Sequence, residues 1–236
     1  MVEQDTDWEE YATKLAHVAR DLLHQESFQD TLDRIAAHAV GLVEGCDAAG
    51  ILTVQGGRVR TLAATDDLVR ESDAAQGELG EGPCFDALRE RERVYRVDEM
   101  ARTERFPRFA PRAHALGVGC MMGFLLYTEE DNLGALNLYS YRSHAFSGAS
   151  EHAGWVLASH AAVAMASART HSQLRHALET RHEIGEAMGI LMGRHQLTEE
   201  QAFQVLRKAS QDHNIKLREV AARVTRTGDT AAEPAP

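Results

Sequence analysis

Cysteine is scarce. Cys46, Cys84 and Cys120 are the three, widely spaced and without a C-x-x-C pair. That pattern supports neither a disulfide framework nor a zinc ribbon, and points to reduced thiols in the cytoplasm. No apolar run approaches the ~20 residues a membrane span needs, so no membrane partner is expected. The first residues, Met1 to Asp7, are acidic where a signal peptide would be basic. The nucleotide-binding pattern G-x-x-x-x-G-K-[ST] is missing, as are H-E-x-x-H and G-x-S-x-G, so an enzyme is not expected. Twelve histidines are present, but no pair has ligand spacing with partners, so no metal is expected. A receiver-like domain with acidic residues ending successive strands is also absent, which argues against phosphorylation of an aspartate as input.

Charge is plentiful but unevenly placed. The chain of 236 residues carries a net −11, a poor overall match to nucleic acid. Residues 169–228, however, hold ten Lys and Arg against seven Asp and Glu, a balance of +3. The remainder, with fifteen basic and twenty-nine acidic residues, stands at −14. Such asymmetry between segments hints at nucleic-acid binding by the positive one.

Periodicity divides the chain in the same place. Trp8, Tyr11, Leu15, Val18 and Leu22 recur at helical spacing, as do Leu32, Ile35, Ala36, Ala39, Leu42 and Val43. The period then shortens: Ala48 to Val54 and Arg58 to Ala64 flank Gln55-Gly56-Gly57, a β-hairpin pattern. Pro83 suits the first turn of a helix through Arg89, and Val94 to Val97 suits a short strand. Val118 to Leu126 and Leu133 to Tyr139 predict a second hairpin around the polar residues 128–132. Together these predict an α+β domain with an antiparallel sheet and flanking helices over residues 1–165.

Glycine and proline are both missing from Trp155 through Ile184, and six of the eleven residues Ala158–Ala168 are alanine. This predicts a continuous connecting helix, assigned to residues 155–180. Three helical units follow over residues 175–228. The first buries Ile184, Ala187, Leu191 and Met192. The second opens on Thr198-Glu199-Glu200-Gln201, a capping-box pattern, and buries Ala202, Phe203, Leu206 and Ala209. After a polar bend at Gln211–Asn214, the third buries Leu217, Val220, Ala221 and Val224. Three short amphipathic helices can bury their stripes only against one another, which predicts a small all-α bundle. Residues 229–236 read as a disordered tail.

The run RHEIGEAMGILMGRHQLTEEQAFQVLRKASQDHNIKLREVAARV, Arg181 to Val224, resembles the ANTAR module over its whole length. Shared elements are Ala-x-Gly-x-Leu-Met, an acidic cap before Ala-Phe/Tyr-x-x-Leu-Arg, then Asn-x-Lys-Leu and Val-Ala. Upstream, GEGPCFDALRE (Gly80 to Glu90), Phe106-Pro107-Arg108-Phe109 and LGALNLYSYRSHAFS (Leu133 to Ser147) resemble the GAF-type sensor that precedes ANTAR in actinobacterial antitermination regulators. The resemblance implies a GAF-like sensor domain, then a long helix and a three-helix ANTAR bundle. It also implies RNA targets carrying two neighbouring stem-loops as partners, with the transcription machinery engaged indirectly. At one position many relatives carry Lys between the Ala and Gly of the first helix. Met188 stands there in this chain, removing the cation a phosphate contact would need.

The expected RNA face centres on Arg207, Lys208, Ser210, Gln211, Asn214, Lys216 and Arg218, which combine cations for phosphates with groups able to read base edges. Arg181, Met188, Gly189 and Arg194 on the first helix are added to it, although Ala187 and Gly189 read foremost as small packing residues. Phe203 reads as core. For the sensor, Cys84, Phe85, Tyr95, Phe109, Cys120 and Met122 are the expected contacts of an unidentified small ligand, with His114 and Met121 nearby and Gly80–Phe109 as the covering segment. No cofactor is expected. Cys84 at a helix start raises a redox alternative, set against an ordinary buried thiol.

Trp155, Val156, Leu157, Val163 and Met165 give the connecting helix more apolar surface than one domain should cover, so a homodimer is expected through Trp155 to Leu178. The leading function is an RNA-binding transcription antitermination regulator under ligand control. A DNA-binding regulator using a helix-turn-helix, and a signal-relay protein that binds no nucleic acid, are the alternatives.

Overall fold

The computed structural model describes residues 2–25, 27–84, 86, 93–128 and 131–230, with backbone alone over 2–10. Contacts divide the chain into two units, Met1–Thr170 and His171–Pro236.

The first unit opens with helices α1 (Val2–Leu23) and α2 (Phe28–Leu42). Ser27 caps α2, its hydroxyl accepting the Asp30 N–H at 3.0 Å. Strands β1 (Ala48–Gln55) and β2 (Arg58–Ala64) form the expected hairpin. Gly56 and Gly57 both take positive φ, which the tight turn between twisted strands requires. Helix α3 (Asp67–Leu79), strand β3 (Val94–Val97) and helix α4 (Phe109–Ala115) follow. Strands β4 (Cys120–Tyr127) and β5 (Asn132–Ser140) then pair as the second hairpin. All pairings are antiparallel, in the order β2-β1-β5-β4-β3.

Both faces of this sheet are covered, so its central strands are apolar nearly throughout rather than alternating. Ile51, Met122, Phe124, Leu136 and Leu138 point toward α1, α2 and the first part of helix α5 (Gly148–His195). Ala48, Leu52, Met121, Ala135 and Tyr139 point the other way, toward α3, α4 and the chain between them. Gly154 lets α5 lie on the sheet, since a Cβ there would strike the Phe124 ring.

Three features depart from expectation. Helices α3 and α4 were not anticipated, although Asp66 caps α3 by accepting the Leu68 N–H at 2.8 Å. Of the helix expected at Pro83–Arg89, Pro83, Cys84 and Asp86 are helical and residues 85 and 87–89 lie outside the described set. The connecting helix and the first bundle helix are one uninterrupted element of 48 residues. Each of Gly185, Gly189 and Gly193 costs helix about 1 kcal/mol against alanine. Burial of Ala187 and Leu191 on the adjoining face offsets that cost.

In the second unit the end of α5 packs with α6 (Glu199–His213) and α7 (Leu217–Thr227) around Ala187, Leu191, Ala202, Leu206, Val220, Ala221 and Val224. The capping box at α6 is present. The Thr198 hydroxyl accepts the Gln201 N–H at 3.3 Å, and the Gln201 side chain accepts the Thr198 N–H at 2.9 Å. Gly228 ends α7 in the left-handed region; residues 231–236 of the expected tail lie outside the described set. Among the described residues, no helix is long and apolar enough to cross a membrane.

Helix α3 packs tightly on the sheet at Gly50, where a Cβ would overlap Val69 of α3 and lie 2.7 Å from the Ala63 carbonyl oxygen. The backbone on that side cannot give way, so Gly50→Ala should displace α3 and destabilise the chain by about 1–3 kcal/mol. Urea unfolding measures this; an unchanged midpoint would contradict the packing.

Candidate functional site

The sensor's candidate site is a polar cluster buried between α3 and the sheet. Asp73, Gln76, Asn137, Tyr139 and Cys84 are all at most 1% exposed. The Asp73 carboxylate accepts the Thr61 hydroxyl at 2.7 Å, the Tyr139 hydroxyl at 3.2 Å and the Asn137 amide at 3.5 Å. Burial pushes this carboxyl up to about 6, with those three donors pulling the other way. The Cys84 thiol bonds the Asn137 side-chain oxygen, and the Cys84 N–H donates to Gln76 Oε1 at 3.0 Å. Gln76 Nε2 has no hydrogen-bond partner among the described residues.

Glu81, just after α3, is tied to the start of α4. Glu81 Oε1 accepts the backbone N–H groups of Arg108 at 2.8 Å and Phe109 at 3.0 Å. It thereby caps α4, whose N-cap residue Arg108 supplies no side-chain cap. Arg108 Nη1 returns to the Leu79 carbonyl at 3.1 Å, and Arg112 pairs with Glu78 at 2.9 Å. The Arg105 guanidinium lies over the Tyr95 ring, 4.8 Å from its centroid.

These positions correct the expected ligand set. Cys84 and Phe109 share the core on the α3 side, and Tyr95 approaches Cys84 and Asn137 around Gly123. Cys120 and Met122 belong to the opposite core, because alternation along β4 sends them through the sheet, so they cannot line a pocket with Cys84. Phe85 lies outside the described residues. Met121 and the α4 residue His114 complete the expected neighbourhood, Met121 in the α3-side core and His114 exposed. Burial pushes the Cys84 thiol well above its ordinary value, the Asp73 charge adding to it. That is the chemistry of a structural thiol rather than a reactive one. Sequence reasoning missed Asp73, Gln76, Thr61, Asn137 and Tyr139. Polar residues at core-facing helix positions, as Asp73 and Gln76 are beside Val69, were the available signal.

The second unit carries the other candidate site. Two open concavities, of about 660 and 800 Å³, share Arg181, Ile184 and Phe203 and so form one surface. The larger adds His176, Lys216 and Arg218; the smaller adds Met188, Met192, Glu199 and Glu200. Phe203, expected in the core, is 37% exposed. On α6 it lies about 90° around from the inward line of Ala202, Leu206 and Ala209 at ~100° per residue, which puts it at the margin. Gly189 was read as a packing residue, but nothing stands within 4 Å of a Cβ built on it or on Gly185. Ala187, by contrast, is fully buried.

The expected cationic patch is only partly assembled. Arg207 follows Phe203 by one turn on the same face of α6, and Asn214 ends that line in the left-handed region. Lys208 falls ~140° from Phe203 and faces elsewhere. Gln211 is exposed on the intermediate side. The Ser210 hydroxyl donates to the Ile215 carbonyl at 2.6 Å, closing the bend between α6 and α7. Arg194 donates to the Gly228 carbonyl at 2.9 Å and so caps α7. Both are committed within the fold. Arg218 Nη1 contacts His176 Nε2 at 2.8 Å, while Lys216, at the N-cap of α7, makes no capping bond.

A family model described as a GAF domain matches residues 25–166, and one described as an ANTAR domain matches residues 172–224. The chain belongs to the GAF domain family, with an ANTAR domain following. No curated protein matches it. Among solved structures, it is similar to the chromophore-binding domain of an unusual bacteriophytochrome from R. palustris. That likeness has 10% identity, a TM-score of 0.53 and coverage of 70% of this chain and 62% of the other. The chain thus spans under two thirds of that relative's length. A domain of a putative two-component sensor histidine kinase from Sinorhizobium meliloti 1021 is 20% identical, with a TM-score of 0.52 and coverage of 64% and 99%. The GAF domain of a phosphoenolpyruvate-protein phosphotransferase from Coxiella burnetii is 18% identical, with a TM-score of 0.52 and coverage of 69% and 96%. At such identities these likenesses show the fold alone.

The raised Asp73 value sets a pH dependence. The folded carboxyl titrates near 6, the unfolded one near its ordinary ~3.9. The stability conferred by the protonated form is therefore complete below about pH 4 and lost as pH rises through about 6, roughly 3 kcal/mol in all. Asp73→Asn removes this titration. The melting temperature of the wild type relative to the variant should fall from pH 4 to pH 7; a constant difference across that window would contradict it.

Proposed function

We propose that this chain is a cytoplasmic RNA-binding transcription antitermination regulator, of the type found in actinobacteria. Its GAF domain senses a small ligand, and its ANTAR domain binds stem-loop RNA near a terminator. It works by binding rather than by catalysis. The observation that carries this reading is the surface within the matched ANTAR residues where Arg181, Lys216 and Arg218 surround an exposed Phe203. Cations for phosphates and an aromatic face for unpaired bases are the two requirements of loop recognition. Ligand sensing is supported by the buried polar cluster at Asp73, where Gln76 Nε2 is available for a hydrogen bond.

Pairing into a homodimer is part of the proposal, through a narrower face than Trp155, Val156, Leu157, Val163 and Met165 together would give. Ala161 and Ala164 are buried in the sensor's own core, with Leu157 and Met165. Trp155 and Val163 of the first unit, and Leu174 and Leu178 of the second, stay exposed. Removing those side chains from water between two copies would stabilise a dimer at about 25 cal/mol per Å² buried. Two RNA-binding modules in one assembly raise affinity for paired loops by roughly 10²–10⁴ when the spacing fits.

Hairpin RNA and duplex DNA of equal length, titrated at matched salt, test the nucleic-acid assignment. Binding should favour the hairpin and weaken steeply with salt. The triple variant Arg181→Ala, Arg207→Ala, Lys216→Ala should bind more weakly with a flatter salt slope, while Lys208→Ala changes less. Preference for DNA, or a triple variant with unchanged slope, would refute this face.

Dimerisation is tested by sedimentation. Leu174→Glu with Leu178→Glu should yield folded monomers that bind one loop but lose preference for two; a wild-type monomer would refute the arrangement.

A further inference from the structure

We infer that Phe203 is the floor of a pocket for one unpaired nucleobase, read at its edge by Glu199 and Glu200; this rests on the RNA-binding reading above. Three observations converge. Phe203 is a large apolar ring left 37% exposed although its helix has a full inward stripe without it. Around it, Ile184, Met188 and Met192 form an apolar wall of one concavity. On that same wall Gly185 and Gly189 leave open space where any other residue would place a side chain, so a flat group can reach the helix backbone.

Chemistry at the rim selects the occupant. Glu199 and Glu200 line the same concavity, and ionised carboxylates only accept hydrogen bonds. A wholly apolar partner would bury both carboxylates without donors, which is costly. A base has an apolar face for the ring and the Met188 thioether, and N–H donors along its edge for the carboxylates. Exocyclic amino groups of adenine, cytosine and guanine each supply two such N–H donors, whereas uracil offers one N3–H between two carbonyl oxygens that the carboxylates repel. Phosphates are repelled from this acidic end and drawn to Lys216 and Arg218, which line the neighbouring concavity. The base therefore enters edge-first toward α6's N-terminus, with its backbone toward α7.

The test uses the full chain and four RNA hairpins with one stem and loops of A, C, G or U alone. A fifth set carries 2-aminopurine at each loop position in turn. The three amino-bearing loops should bind more tightly than the uracil loop, and one 2-aminopurine position should change its fluorescence on binding. Phe203→Leu, which keeps an apolar side chain of similar reach, should abolish that change and weaken binding by roughly five- to 150-fold. Phe203→Tyr should retain both. Glu199→Gln with Glu200→Gln should reduce the discrimination against uracil while leaving the fluorescence change. Salt-sensitive hairpin binding that Phe203→Leu leaves intact, with no fluorescence change, would overturn the pocket and leave the RNA reading standing. Absence of any hairpin binding by the wild type would overturn both. A Phe203→Leu variant that converts a dimer to a monomer with base discrimination intact would also overturn it, assigning the face to a second copy.

Discussion

Helix α5 contributes to two separate hydrophobic cores, and the rest of the molecule is arranged around that constraint. Its first part sends Ala153, Leu157, Ala158, Ala161 and Met165 into the sensor core, and its last part sends Ala187 and Leu191 into the three-helix bundle. The two demands differ. Against the sheet, α5 must come close enough for Phe124 to meet the backbone at Gly154, so small residues dominate. In the bundle, the inward side is narrow, and the remaining faces are free for exposed Arg181, Gly185 and Gly189. Between these regions Leu174 and Leu178 remain uncovered within the described chain. Neither Gly nor Pro interrupts residues 155–184, so the hydrogen-bond ladder runs from one unit into the next.

The two candidate sites place polarity in opposite ways. In the sensor, an ionisable carboxyl is taken out of water and surrounded by Thr61, Asn137 and Tyr139, which makes the α3 side of the sheet a costly and specific arrangement rather than plain core. Removing any donor would leave Asp73 short of a partner. In the bundle, the polar groups stay solvated and an apolar ring is exposed among them. Exposed charges such as Lys216 contribute little to folding and are free for a partner; the ring at Phe203 contributes less to the core than its size would allow.

Legibility followed the same division. Strands β2 and β3 and the α6 capping box were readable because each depends on local chemistry: alternation, the Gly56-Gly57 turn, and the Thr198–Gln201 reciprocity. Helix α3 was not, because its inward side mixes Leu68, Val69 and Ala75 with Asp73 and Gln76, which blurs the apolar period. The family resemblance located the ANTAR domain, but not the use of each residue. Arg194 and Ser210 look like free polar groups until Gly228 and the Ile215 carbonyl are seen to take them.

The sequence by itself determined two units, their class, the helix joining them and the positive segment, since all of these follow from composition and period along the chain. Tertiary structure alone decided which side chains share a site. Cys84 and Met122 looked equivalent as pocket residues, yet the pleat of β4 and the tie of Cys84 to Gln76 of α3 put them on opposite sides of one sheet. Phe203 sits at the margin of the inward stripe by spacing, and how far that stripe extends depends on the angle at which α6 meets its neighbours. Spacing along one helix reports direction around its own axis; only the partner helix determines where inside ends.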